Sequence, residues 1–251
     1  MTKDLRHTGV WPFSLFNKGA LTDSSGNPVK VFDPVAQQFE ALSSFTSTGW
    51  IGFPFMSEDF LWDVIDGNET ETVKLIENWT TENRLKIADY FNERSEQYNA
   101  YPEVNSIFSE AIMNYRDERY VSVVRVLLPE FERLGRLITL PDGSQPQRSG
   151  DAIKAMQDYL GEFPVSIMTG LELSTAFHVL SGPLFERCFS TSDAIAIGPG
   201  PNRHAETHGL ADYGNLRGAT AILACVGLML TSIEYAHTQS QLQGALNEGR
   251  Q

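Results

Sequence analysis

Residues 120–138 read YVSVVRVLLPEFERLGRLI, and this stretch decides the fold class. Val121, Val124, Leu127, Leu128, Phe131, Leu134 and Leu137 recur at the steps of three and four that stack side chains along one helical face. The pattern continues across Pro129, which is expected either to kink the helix or to end its first half, because proline lacks the N–H that a helix interior uses. A stripe this wide has to be covered by other helices, so 120–138 reads as the central helix of a bundle.

The flanking sequence supplies those helices. Upstream, Tyr101-Pro102-Glu103 opens a helix through Val104, Ile107, Phe108, Ala111 and Ile112 to Tyr115. Before it, Val73, Ile76, Trp79, Leu85, Ile87, Tyr90 and Phe91 mark one long or once-broken helix from Glu69 to about Gln97. Ser57-Glu58-Asp59 has the hydroxyl and carboxylates of a helix start, and Asp33-Pro34 opens a helix carrying Val35, Phe39 and Leu42. Downstream, 140–150 is a loop rich in Pro, Gly and Ser. Helical pattern resumes from Asp151 to Leu160 and from Val165 to about Phe189, and a strongly apolar helix runs from about Asn215 to His237. Residues 1–32, with Trp11, Phe13 and a turn at Ser25-Gly26-Asn27-Pro28, read as an irregular arm. The expected fold is all-α: a helical bundle over 101–251, preceded by an irregular arm and helical region over 1–100.

Composition narrows the function classes. The 251 residues are 41% apolar and 20% charged, an ordinary soluble balance, with a formal net charge of −13. That sign argues against a protein that holds nucleic acid along a broad basic face, so any RNA-related role must rest on a local site. Much of the excess lies in one segment, where Glu58, Asp59, Asp63, Asp66, Glu69, Glu71, Glu77 and Glu82 surround Lys74 and read as a solvated helical face. Cys188 and Cys225 are the two cysteines, and both sit in apolar context, as reduced core residues of a cytoplasmic protein do. The polar start, Met1 to Phe16, does not read as a signal peptide. Ala219–Ile233 is shorter than a bilayer span and is expected to be a buried helix rather than a membrane anchor.

The densest chemistry lies in Pro201-Asn202-Arg203-His204-Ala205-Glu206-Thr207-His208-Gly209. An arginine there stands beside two of the five histidines, a permanent cation next to groups that exchange protons near neutral pH. Arg203, four intervening residues and His208, with polar His204 directly after the arginine, resemble the R-x4-6-H motif of HEPN-domain ribonucleases. The likeness extends through Gly209, Asp212-Tyr213-Gly214-Asn215 and the apolar helix after them. It also takes in the helix pair around Ala111-Ile112, Tyr115-Arg116 and Leu127-Leu128-Pro129-Glu130-Phe131-Glu132, so that roughly 105–237 resemble a bacterial HEPN group associated with abortive infection and toxin systems. Residues 1–100 carry no such resemblance.

The resemblance implies a metal-independent endoribonuclease acting in antiviral defence or as a toxin, with RNA as substrate, no cofactor, a homodimeric composite site and a protein inhibitor or regulator. It assigns His208 as general acid or base, Arg203 as phosphate clamp and His204 in support, with Glu130 or Glu132 on the central helix orienting Arg203 or His208. Asn202 and Tyr213 are the candidate substrate contacts. The chemistry is coherent without the family name. RNA cleaves itself when its 2′-hydroxyl attacks the adjacent phosphorus, so a protein need only move protons and stabilise the phosphorane.

Other readings of the same residues remain open. The cluster could be a capped helix start whose polar groups are satisfied, and Glu130, Glu132, Arg133 and Arg136 a salt-bridged face. A non-catalytic HEPN-like nucleotide-binding, protein-interaction or dimerisation module is the functional alternative. A zinc site from His204 and His208 lacks a third ligand, and Glu206 stands one place away from the metalloprotease position. Ile197-Gly198-Pro199-Gly200-Pro201 lacks the Gly-Lys-Ser/Thr ending of a phosphate loop.

Overall fold

The computed structural model describes residues 10–12, 33–98, 102–138, 151–156, 164–182, 184, 186–197 and 200–248. The expected loop at 140–150 and the turn at Ser25–Pro28 lie outside the described residues. Ten helices are labelled in chain order: α1 (Asp33–Thr48), α2 (Glu58–Asp66), α3 (Glu69–Glu82), α4 (Arg84–Ser95), α5 (Pro102–Arg116), α6 (Tyr120–Leu137), α7 (Ile167–Ser181), α8 (Thr191–Ile197), α9 (Arg203–Thr207) and α10 (Leu216–Glu248). Residues 151–156 add a further helical stretch. One three-residue antiparallel pairing, β1 (Val10–Pro12) with β2 (Pro164–Ser166), is the sole extended element among the described residues. The fold is all-α.

Helix boundaries follow local chemistry. Ser57 caps α2 by accepting the Phe60 N–H at 3.2 Å. Asn68 and Glu71 form a reciprocal capping box at the start of α3. The long pattern from Glu69 breaks at Asn83, which ends α3 and begins α4. Pro129 does not end α6; the helix runs through it. The expected helix from Val165 to Phe189 starts later and stops at Ser181, where Gly182 takes over and donates to the His178 carbonyl at 3.1 Å.

The core sits around α10. From Ala219 to Leu230 every residue of that helix is buried, because α6 and α7 cover it along most of this length and α4 and α5 close the remaining side. The stretch Leu216–Tyr235 has the length and apolarity of a membrane span, yet 83% of its apolar window is buried inside the protein, as in the core helix of a soluble bundle. One continuous apolar cluster draws Phe45, Phe53 and Phe91 from the first hundred residues together with Phe108, Tyr115, Phe131 and Ile222 from the remainder. Two polar ties run through this interior. Tyr115 and Thr220 share a buried hydroxyl pair at 2.8 Å. Arg94 on α4 donates to both carboxylate oxygens of Glu172 on α7, at 2.8 and 2.9 Å, and to Thr231 on α10 at 2.7 Å. Burial pushes the Glu172 carboxyl above the usual range, opposed by Arg94 and by the hydrogen bond that the Tyr90 hydroxyl donates to it.

Candidate functional site

Helix α9 is five residues long and too short to hold itself together, so its neighbours must fix it. Ala205 is fully buried in a small apolar cluster with Cys188, Ala194 and Tyr213, set apart from the main core. Asn202 caps the helix: its Oδ1 accepts the Ala205 N–H at 2.7 Å, and its Nδ2 donates to the Glu186 carbonyl at 2.9 Å. The Asn202 side chain is wholly buried, so the candidate substrate contact is placed as a structural cap immediately before Arg203.

The far end of α9 closes on Gly209, whose φ of +67° is the left-handed value that glycine adopts without strain. The Leu210 N–H then bonds back to the Ala205 carbonyl at 2.8 Å. Glu206 turns inward and accepts the Tyr213 N–H at 2.9 Å, holding the chain that leaves the motif. Asn215 accepts the Gly218 N–H at 2.9 Å and starts α10. Gly218 has no room for a side chain, since a Cβ there would stand 2.1 Å from the Tyr213 carbonyl oxygen.

These constraints bring the motif's two imidazole side chains together on one side of α9. The His204 and His208 rings lie 4.4 Å apart between centroids and are tilted at 49°. His204 is partly buried, and Phe189 meets its ring edge-on at 5.5 Å. His208 is exposed. The Nδ1 atom of His204 is buried and has no hydrogen-bond partner among the described residues. Arg203 reaches across to α6, where its Nη1 donates to Oε1 of Glu132, and Arg136 stands 4.0 Å from the other Glu132 oxygen. The Arg203 hydrogen bond and charge hold the Glu132 carboxyl below its ordinary range.

Glu132 is thus brought to Arg203 by the fold, whereas Glu130 points elsewhere. It is buried and has Arg133 as its ionic neighbour at 3.7 Å. Tyr213 is buried against the small cluster, and that burial raises its phenol above the usual range. Among the described residues no three His, Cys, Asp or Glu side chains converge as a metal-binding group.

Two features escape the sequence reading. The turn that leads into α8 brings Phe189 to His204; in it Ser190 accepts the Asp193 N–H at 3.1 Å and Asp193 accepts the Phe189 N–H at 2.8 Å. The spacing of Ser190 and Asp193 is the capping-box signal that marks it. The second is an open cleft of about 440 Å³ beside the motif, bounded by α1, α3, α8 and the 210–217 segment. No protein-family model, curated protein or solved structure matches this chain.

Proposed function

We propose that the protein is a metal-independent endoribonuclease of the HEPN type, with Arg203 and His208 as its working pair and His204 in support. The observation that carries this reading is the exposed His208 ring packed 4.4 Å from His204 on a helix whose first residue is Arg203. In the proposed reaction the His208 imidazole takes the proton from a ribose 2′-hydroxyl, and the 2′-oxygen bonds to phosphorus. The bond from phosphorus to the 5′-oxygen breaks, and that oxygen takes a proton from an imidazolium. Of the motif's two imidazoles only that of His208 is exposed, and the reaction needs two proton transfers, so a second copy facing the first supplies the other. Arg203 donates to the phosphorane oxygens as charge builds on them. The products are a 2′,3′-cyclic phosphate and a 5′-hydroxyl.

The test is cleavage of single-stranded RNA by the purified protein in EDTA, beside Arg203→Ala and His208→Ala. The reading requires EDTA-resistant cleavage that both substitutions abolish, and products ending in cyclic phosphate. Cleavage that survives both substitutions, or no cleavage by the wild type, sinks it. The resemblance adds a cytoplasmic defence or toxin setting with a protein inhibitor, for which expression that arrests growth unless His208 is replaced is the matching cellular result.

A second reading, a non-catalytic nucleotide-binding or dimerisation module, is favoured by one observation. Arg203 is already engaged by Glu132. It predicts RNA or nucleotide binding without turnover in the same assay.

A further inference from the structure

The cleft beside the motif has its own chemistry. Leu210 and Tyr213, just beyond His208, line one side, and Ala194 and Ile195 of α8 line another. Ile195 is 77% exposed, an apolar side chain left open to water at the cleft. A volume of about 440 Å³ lies within the range of small-ligand sites. Into this partly apolar space come one carboxylate, Glu69, and one guanidinium, Arg217.

Neither charged group is used up. The hydrogen bond described for Arg217 is a long one, 3.5 Å from Nη1 to the Thr48 carbonyl, leaving most of its five donors available. Glu69 is exposed, and among the described residues its carboxylate makes no ion pair, with Arg217 or with any other cation. The lining thus offers a flat ring apolar side chains to lie against, a carboxylate acceptor in Glu69 and a guanidinium donor fork in Arg217.

Of the four RNA bases, guanine matches both groups twice over. Its N1–H and N2–H₂ are adjacent donors that one carboxylate takes together, and its O6 and N7 are adjacent acceptors that one guanidinium takes together. Adenine offers a carboxylate a single amino group, and uracil a single N–H. We propose that this cleft takes a guanine base, read by Glu69 and Arg217, and that in the ribonuclease reading, on which this rests, the guanine adjoins the scissile linkage.

The experiment has two arms. In the first, isothermal titration measures GMP, AMP, CMP and UMP binding to the wild-type protein, Glu69→Gln, Arg217→Ala and His208→Ala. GMP is expected to bind tightest. Glu69→Gln is expected to weaken GMP about tenfold to a hundredfold, the scale of one lost bidentate base contact, and to leave UMP unchanged. His208→Ala is expected to keep the GMP preference. Glu69 is exposed, so its substitution tests the cleft even where Arg217→Ala fails to fold. GMP binding no tighter than that of the other nucleotides, or a preference that survives Glu69→Gln, overturns the proposal.

The second arm uses oligonucleotides with a single ribose linkage flanked by each base in turn. Faster cleavage beside guanine, lost in Glu69→Gln, supports placement next to the scissile linkage, and cleavage indifferent to the base overturns that placement. GMP selectivity with no cleavage of any oligonucleotide sinks the ribonuclease reading and leaves the cleft as a site for a free guanine nucleotide.

Discussion

Replacing Asn202 separates positioning from substrate contact at the motif. In the structure its carboxamide does two jobs within the protein: Oδ1 accepts the Ala205 N–H at 2.7 Å, and Nδ2 donates to the Glu186 carbonyl at 2.9 Å. Asn202→Ala removes both and leaves an N–H and a carbonyl without those partners in a buried place. Loss of an N-cap costs about 1 kcal/mol, and loss of a second buried hydrogen bond about another. The expected destabilisation is therefore about 2 kcal/mol, which for a chain of this size lowers Tm by about 4–8 °C. Asn202→Ser keeps an acceptor for Ala205 and should lose about half as much. Asn202→Asp keeps the acceptor but turns an anion toward the Glu186 carbonyl, so it should fall nearer alanine. Urea titration of the three variants gives the order, and RNA cleavage measured alongside should fall in that same order. A variant as stable as wild type but inactive would refute the reasoning, because the side chain would then be acting on substrate rather than on the backbone that carries Arg203.

Three further substitutions probe other parts of the frame. Gly218→Ala places a methyl 2.1 Å from the Tyr213 carbonyl oxygen, so the backbone must shift, and a loss of about 1–3 kcal/mol in urea titration is expected; a change within about 0.5 kcal/mol contradicts the close approach. Arg94→Met or Glu172→Leu alone strands a buried charge and should cost about 3–5 kcal/mol, whereas the double variant should cost far less than the sum; additive losses in the double-mutant cycle rule out coupling across α4 and α7. The Glu132 carboxyl is held low by Arg203, so its contribution is present above the ordinary glutamate value of about 4.3 and is lost as pH falls through the depressed folded value. The stability gap between wild type and Glu132→Gln should accordingly exist at pH 7 and close on acidification. A gap that widens below pH 4 has the wrong sign.

Much of the frame is legible in the chain because it depends on near neighbours. The stripe Val124, Leu127, Phe131 and Leu134 is buried in α6 as its spacing requires, and Ser57 caps α2 from its own place in sequence. What escapes depends on groups far apart along the chain. Arg94 and Glu172 stand 78 residues apart and meet only because α4 and α7 both pack on α10. Read alone, each is a charged residue on a helix, and nothing local marks either as buried. At the motif the residue types are visible but their division of labour is not. Asn202 has the chemistry of a substrate contact and of a cap, and only its position against Ala205 and Glu186 separates the two. Glu132 could have been one more member of a solvated face, and the approach of α9 to α6 gives it Arg203.

That pairing bears on how an acidic protein would engage a phosphate. With a net charge of −13, the long-range field repels RNA, so affinity must be generated locally. Arg203 is the cation at the head of the motif helix, and in the resting chain Glu132 partly neutralises it. Glu132 is about half exposed, and an ion pair that open to water is worth only about 0–1 kcal/mol. A phosphate that accepts two parallel bonds from the guanidinium can therefore displace the carboxylate at little cost. Glu132 meanwhile keeps the guanidinium extended toward α6. A single arginine released in this way still faces the charge of the whole chain. Under the proposed ribonuclease reading, two motifs sharing one phosphate would double the local cation, the direct way to overcome a field set by the rest of the protein.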